Sequence, residues 1–402
     1  MNTVDEPEVP ARASGCRLGY HARLADIIAA FSVGHSKGLS VWTATTAGIV
    51  AMLLGLQFVT GVLLSFYYVP STDHAHTTVS YIEKVLPAGS WVRALHHHGS
   101  QWLTLFLLLH VIQLFWRSDY RQRTAAWIAS VLLLGLVMAS GATGYSLPWD
   151  ARAYFSTRVA EGIAGGLPLV GSVARRWLLG GQGISTLTLS RFFALHVLVI
   201  PALILFVVIV RLFWFRRSSL SEVLSPRPPV PPSSRPLFPA QLAYNLVAAG
   251  IAFIAISLYA KRFYAPFGPA ASTSTPGYLP RPDAEFIWLY QLLKYVPGRA
   301  GSLVALGLPS LIISGLVILP FLPLKSLSRY GLQPARIVGT LFLTCACALV
   351  VTMTAAAYLQ DWRDPRTQQQ LARQLAEEQA ARNSPFATVW LNQGDEEQRD
   401  SI

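Results

Sequence analysis

The chain has 402 residues, of which 52% are hydrophobic and only 13% are charged. Soluble domains carry about a quarter charged residues, so this composition excludes an ordinary soluble protein and indicates one embedded in a lipid membrane. The formal net charge is +12, but the basic residues lie in loops between apolar runs. We therefore predict no nucleic-acid partner.

Seven apolar runs can cross a hydrocarbon core of about 30 Å. They are Trp42–Tyr68, Trp102–Trp116, Ala125–Leu147, Phe192–Phe215, Leu237–Tyr259, Ser302–Leu322 and Ile337–Tyr358. The second run reaches full length only with the less apolar segment Trp91–Gln101. This pattern predicts an all-α integral membrane protein with seven spans.

Basic residues concentrate in the loops after the second, fourth and sixth runs: Arg117, Arg121, Arg123, Arg216, Arg217, Arg227, Arg235, Lys325, Arg329 and Arg336. The positive-inside rule places these alternate loops in the cytoplasm of a bacterial-type inner membrane, and the N-terminus with them. We predict a cytoplasmic segment 1–40, a four-helix bundle 41–215, a proline-rich linker 216–240, a three-helix part 241–360 and an extramembrane tail 361–402. A short surface helix is expected at Gly171–Leu179. The tail is expected to form a helix outside the membrane or to be disordered, and Leu24–Phe31 to be an amphipathic helix or a loop.

Histidines mark the chemistry of the bundle. His96 and His110 are fourteen residues apart in a proline-free run, which puts them within about 40° on one helix face and about 21 Å apart. Either residue alone could be a core histidine. His196, however, lies near the start of the fourth run, at the depth of His96. Two imidazoles from two helices could both bind the iron of one haem. An iron with two imidazole ligands is low-spin and suited to electron transfer.

Arginines and glycines surround these histidines. Arg93 and Arg191 lie about one turn further out, where each could pair with a haem propionate or simply snorkel to the interface. Gly48 and Gly61 in the first run could let a flat group approach the backbone, or could serve close helix packing. Gly144 ends the third run in a glycine-rich block that continues with aromatic residues to Asp150.

Together these residues resemble cytochrome b of the cytochrome bc complexes, in the seven-helix form of the plant and cyanobacterial branch with both halves fused. The resemblance covers about residues 40–360 and rests on four motifs. They are Arg93 with the His96/His110 pair, the block Gly144–Asp150, the segment Thr188–His196, and Tyr290–Lys294 in the loop before the sixth span. It implies a four-helix bundle that binds haem b, followed by three further transmembrane helices.

The resemblance also implies roles and partners. His96 and His196 would bind the haem near an outer quinol site, to which Tyr145 would belong, and His110 would be one ligand of an inner haem. Gly48, Gly61 and Gly144 would line the cofactor sites. Quinol and quinone would be the substrates, a Rieske iron–sulfur protein and a c-type cytochrome the partners, and a homodimer one option for the assembly.

The inner haem site departs from the family. The fourth ligand should lie fourteen or fifteen residues after His196, where this chain has Val210 and Arg211, and no histidine follows. Arginine stays protonated and cannot ligate iron. Three outcomes remain open: a missing haem with Arg211 in its place, a five-coordinate haem on His110, or a ligand borrowed from His21 or His35. We predict one haem b and leave the second open.

The quinol loop departs as well. The family has proline, glutamate, tryptophan and tyrosine where this chain has Pro282-Asp283-Ala284-Glu285. The family's glutamate is thought to take a quinol proton. Asp283 keeps that chemistry on a shorter side chain, and Glu285 adds a second carboxylate. Alternatively, the loop sequence has diverged from the family without keeping its function, and both acids are solvated. Thr46 lies near the position of a haem-attaching cysteine, so no covalent haem is expected.

These features predict a cytochrome b-type subunit of a quinol-oxidising electron-transfer complex. The alternative from a different class is a membrane scaffold descended from cytochrome b that holds partner subunits and carries one haem or none. The three histidines and two arginines favour the first interpretation, and the two departures favour reduced chemistry. A transporter has little support, because no repeat of broken helices or chain of buried acids occurs.

Overall fold

The computed structural model describes residues 35–36, 45–116, 120, 123–224, 235–236, 241–271, 278–296, 298–322 and 334–386. Within these residues, seven helices are long and apolar enough to cross a membrane. The predicted all-α integral membrane fold with seven spans is confirmed. The segment Leu24–Phe31, His21 and the side chain of His35 lie outside the described part, as does most of the proline-rich linker.

Twelve helices occur in the described part. They are α1 (Thr46–Ser65), α2 (Ala75–Lys84), α3 (Gly89–Trp116), α4 (Thr124–Gly144), α5 (Ala151–Gly165), α6 (Gly171–Leu179), α7 (Thr186–Ala194, continued by a π-helical turn Leu195–Val199 and by Ile200–Leu224), α8 (Leu242–Arg262), α9 (Ile287–Lys294), α10 (Arg299–Ile318, continued by a 3₁₀ turn Leu319–Phe321), α11 (Pro334–Arg363) and α12 (Pro365–Asn383). Two short strands, β1 (His35–Ser36) and β2 (Arg235–Pro236), pair antiparallel.

Helices α1, α3, α4 and α7 form the bundle, and α8, α10 and α11 pack beside it. Leu53 and Leu107 are fully buried between α1 and α3. On the spans, large apolar side chains such as Leu198 and Ile251 are exposed. A bundle in lipid can leave such side chains outside, because hydrocarbon solvates them as well as a protein core does.

The second span differs from its predicted bounds. It is one continuous 28-residue helix, Gly89–Trp116, rather than an apolar run with a weaker extension. Its polar residues are accommodated because they turn inward: Arg93, His98 and His110 are all buried. Polar side chains that point into a bundle and find partners there do not break a transmembrane helix.

Helices between the spans lie at one end of the bundle, here called the outer side. Helix α6 and the tail helix α12 agree with the sequence expectations. Helices α2 and α5 were not predicted, and Tyr290–Lys294, expected in a loop, belongs to helix α9. These helices are too short and too polar for a hydropathy pattern to separate them from loops.

Asp150 joins the two halves of the chain on the outer side. Its Oδ1 atom accepts the Ala153 N–H at 2.8 Å and so caps helix α5, while Oδ2 accepts the Gly268 N–H at 3.0 Å from the loop after α8. The side chain is buried, so both oxygens need these donors. This double contact fixes the mouth of the cavity described next.

Candidate functional site

A cavity of about 280 Å³ opens among α1, α3, α4 and α7 near the outer side. It is lined by eight of the predicted site residues: Arg93, His96, His196, Gly61, Gly144, Tyr145, Asp283 and Glu285. Four others do not line it: Gly48, His110, Arg191 and Arg211. The structure therefore brings the outer haem residues and the quinol-loop residues into one continuous space.

The two outer histidines face each other across this cavity. The Nδ1 atom of His96 lies 2.9 Å from Oγ1 of Thr60, whose own proton goes to the Leu56 carbonyl at 2.6 Å. Nδ1 of His196 lies 2.9 Å from the Ser140 carbonyl oxygen. Both oxygens must act as acceptors, so each ring carries its proton on Nδ1. Both Nε2 atoms are left unprotonated, which is the state that binds a metal.

The separation of the two rings fits an iron between them. A metal lies about 2.0 Å from an imidazole nitrogen, so a metal bound by both histidines would need their rings to lie close together. The centres of His96 and His196 are 6.0 Å apart. His196 lies in the π-helical turn Leu195–Val199, an irregularity that occurs frequently at functional sites. The residues present thus fit a haem, which His96 and His196 would hold.

Two of the three predicted glycines border these rings. A Cβ atom at Gly144 would lie 2.5 Å from Cε1 of His196, and one at Gly61 would lie 3.2 Å from Cε1 of His96. The third glycine has a different neighbour, because a Cβ at Gly48 would meet Asn245 of α8 at 2.8 Å. Gly61 and Gly144 make room beside the histidines, whereas the contact at Gly48 favours the helix-packing interpretation.

The two predicted propionate partners occupy different places. Arg93 is buried at the cavity wall, where it pairs with Glu83 and donates to the Pro266 carbonyl at 2.6 Å. Arg191 donates to the Trp177 carbonyl and lies away from the cavity wall. Among the two arginines, Arg93 alone is at the cavity. Sequence reasoning did not identify Glu83, whose role depends on a contact between two helices.

The inner histidine has a different partner from the outer pair. Nε2 of His110 lies 3.0 Å from a guanidinium nitrogen of Arg211. On the other side of the ring, Nδ1 lies 3.0 Å from Thr46 Oγ1, which donates to Gln113 at 2.5 Å. Nδ1 therefore carries the ring proton, and Nε2 accepts from the arginine. The nitrogen that would bind an inner iron is engaged by Arg211, which also donates to Ser130.

The carboxylates of the quinol loop have unequal environments. Asp283 pairs with Arg152 at 2.6 Å, and Arg152 also donates to the Tyr145 hydroxyl. That hydroxyl donates to the Arg281 carbonyl at 2.8 Å. Asp283 is therefore engaged by a charge-assisted contact with Arg152. Nothing in the sequence distinguished Arg152 from the other outer-loop arginines.

Glu285 is the less restrained acid. Its Oε2 atom is buried and has no hydrogen-bond partner within the described part of the chain. Burial raises the pKa of this carboxyl group to about 7, and the nearby Asp283 charge adds to the effect. A buried carboxyl group with a pKa near neutrality is suited to accept and release a proton. The structure thus favours Glu285 over Asp283 as the proton acceptor.

The described part of the chain has seven helices that can span a membrane, and two histidines able to bind a metal line one cavity among them. These features are typical of haem-binding electron carriers. The family described as Cytochrome b/b6/petB matches residues 32–219. Cytochrome b6 of Prochlorococcus marinus (strain NATL1A) is 32% identical over 178 residues, which are 44% of this chain and 82% of that protein. Cytochrome b6 of Synechococcus elongatus is 32% identical over 178 residues, 44% of this chain and 83% of that protein. The chain belongs to the cytochrome b/b6 family, and membership implies haem b.

The fold extends this similarity into the second half of the chain. A chain of the structure "Hyperthermophilic respiratory Complex III" superposes with a TM-score of 0.60 and 20% sequence identity, over 84% of this chain and 97% of that chain. At this identity the comparison shows a shared fold. The three spans α8, α10 and α11 thus belong to the same architecture as the bundle.

Gly144→Ala should weaken haem binding. The added methyl group would meet the His196 ring at 2.5 Å, and overpacking of this kind costs about 1–3 kcal/mol, or about 5- to 150-fold in affinity. Haem titration of the purified variant measures the change. Gly55→Ala is the matched control, because no atom lies within 4 Å of its added methyl group. Equal affinities for the two variants would show that Gly144 does not border the cofactor.

Proposed function

We propose that this chain is the cytochrome b subunit of a quinol-oxidising electron-transfer complex and that it carries one haem b, bound by His96 and His196. The main support for this proposal is the geometry of the two histidines. Thr60 and the Ser140 carbonyl contact their Nδ1 atoms, which leaves the Nε2 atoms available, and the ring centres lie 6.0 Å apart. Haem held by these two histidines would supply one-electron transfer. Thr60 and the Ser140 carbonyl orient the two rings through their Nδ1 atoms.

We infer that the inner haem is absent. The Arg211 guanidinium group donates one hydrogen bond to the Nε2 atom of His110 and another to the Ser130 hydroxyl. A buried guanidinium with these partners occupies the ligand position and adds a positive charge that a metal ion would repel. Of the three outcomes open from the sequence, this contact favours the missing haem. Electrons would then leave the outer haem without a second haem on the opposite side of the membrane.

We infer that quinol binds in the outer part of the cavity and gives a proton to Glu285. The free Oε2 atom of Glu285 is the available acceptor. Arg152 pairs with Asp283, and the negative charge of Asp283 helps burial to raise the pKa of Glu285. Burial raises the pKa of the Tyr145 phenol, so Tyr145 stays protonated and serves to hold Arg152 and the loop in place.

Glu285→Gln should slow quinol oxidation by about 100-fold or more, the usual contribution of a positioned base. Only the ionised carboxylate accepts a proton, so the wild-type rate should rise with pH through about 7, the pKa of Glu285. In Glu285→Gln this rise should be absent. The measurement is the initial rate of haem b reduction by a short-chain quinol between pH 5.5 and 8.5, in membranes that contain the full complex.

Asp283→Asn provides the comparison. Removing this charge should lower the pKa of Glu285, because Asp283 raises it, and the rise in rate should move to lower pH while persisting. A pH profile that persists in Glu285→Gln and disappears in Asp283→Asn would reverse the assignment of the proton acceptor to Asp283. A normal rate in both variants would contradict quinol oxidation in this loop.

We also infer that a Rieske iron–sulfur protein and a c-type cytochrome accept the electrons. Their involvement is supported by the family and by the fold shared with a Complex III chain. An inner-membrane location with a cytoplasmic N-terminus is supported by the basic loops between alternate spans. The scaffold alternative has one haem or none, and the two outer histidines at one cavity argue against its haem-free form.

A further inference from the structure

The C-terminal helix α12 is docked against the outer side by polar contacts, and none of its residues is buried. The Lys84 ammonium group of α2 donates to the Ala381 carbonyl at 2.8 Å and to the Ser384 carbonyl at 2.7 Å. These carbonyls lie at the end of the helix, where a cation is favourable. Just beyond, Phe386 packs against Tyr81 with ring centres 5.7 Å apart. Helix α12 thus has a defined position on α2.

Arg382 connects this helix to the cavity wall. Its guanidinium group donates to the Ala265 carbonyl at 2.6 Å and lies 3.8 Å from one carboxylate oxygen of Glu83. The other oxygen of Glu83 accepts from Arg93, which also donates to the neighbouring Pro266 carbonyl. The Glu83 side chain is 3% exposed. One buried carboxylate is therefore shared by an arginine of the tail and an arginine of the cavity wall.

We propose that Arg382 is a positioning residue of the outer haem site: it holds Glu83, and Glu83 holds Arg93 at the cavity wall. This inference rests on the proposed function, because it requires a haem in the outer cavity. A buried carboxylate needs both of its cationic partners, and removing one leaves negative charge poorly compensated. Reduction removes one positive charge from a haem, so such negative charge disfavours the reduced form and lowers the midpoint potential.

The test is a redox titration of haem b in the full-length protein. Arg382→Ala should lower the midpoint potential, because the charge of Glu83 is then less compensated. Glu83→Gln removes the negative charge and should raise the potential. Since both changes act through one carboxylate, their effects should not be additive in the double variant. Arg382→Lys keeps the charge and should restore the potential at least in part.

Arg373→Ala is the matched control. Arg373 belongs to the same helix, has a side chain that is 76% exposed, and pairs with Glu377 one turn along. Its removal deletes the same charge from the same helix without touching Glu83. A shift in Arg382→Ala no larger than in Arg373→Ala would overturn the inference. So would shifts of the same sign in Arg382→Ala and Glu83→Gln, because they would indicate general disruption of the site.

A second readout does not use the haem. Limited proteolysis between residues 364 and 386 should be faster in Arg382→Ala and in Glu83→Gln than in Arg373→Ala, in a haem-free His196→Ala background. Equal rates would show that Arg382 does not secure the tail through Glu83. A wild-type protein without haem would overturn the proposed function and this inference together. A protein that carries haem, and whose haem midpoint potential is unchanged in Arg382→Ala, would overturn this inference alone.

Discussion

Arg211→His should raise the haem content from one to two per chain. Arg211 lies fifteen residues after His196 and contacts the Nε2 atom of His110 at 3.0 Å. A histidine at this position removes the buried positive charge and supplies a second neutral nitrogen ligand. The measurement is haem per chain with a low-temperature spectrum, in which a second low-spin haem should appear.

Arg211→Leu separates the two effects of that substitution. It removes the guanidinium group and supplies no ligand, so a second low-spin haem should not form. If Arg211→His still binds a single haem, something other than Arg211 closes the inner site, and the proposed reason for its absence is wrong. If the wild-type chain already binds two haems, Arg211 does not exclude the second.

His96→Ala and His196→Ala should each abolish stable haem binding. Both rings line the cavity and would together hold the haem, so removing either one would remove one of its two proposed protein ligands. The absorbance of reduced haem in the purified variants should fall close to zero. Retention of a normal low-spin spectrum in either variant would contradict the two-histidine assignment.

His110→Gln is the control for these two variants. Its amide oxygen can still accept a hydrogen bond from Arg211, so the buried guanidinium group keeps a partner. Because the proposed haem does not use His110, haem content should stay at one per chain. A loss of haem in His110→Gln as large as that in His196→Ala would place the cofactor at the inner site instead.

The features that could be predicted are those that depend on the hydropathy of each run and on the depth of a residue along its helix. The seven spans follow from the hydropathy of each run, and the facing of His96 and His196 follows from their equal depth on two helices. The π-helical turn at His196 was not predictable, because a single inserted residue in the helical ladder leaves no clear hydropathy signal.

Features that depend on contacts between distant segments could not be predicted. The pairing of Arg152 with Asp283 joins residues 131 positions apart, and it underlies the proposal that Glu285 rather than Asp283 accepts the proton. Likewise, the position of Arg211 in the sequence led to the prediction of a missing ligand, but only the structure shows that its guanidinium group contacts His110. Each of these contacts depends on how helices pack, which local pattern does not determine.

We propose that the chain holds one haem b through His96 and His196. The most direct measurement is haem per chain, by pyridine haemochrome against protein mass, with a redox-titrated spectrum of the same sample. We predict one low-spin haem that titrates as a single one-electron component. Two haems would contradict the closed inner site at Arg211, and no haem would contradict electron transfer and leave the scaffold alternative.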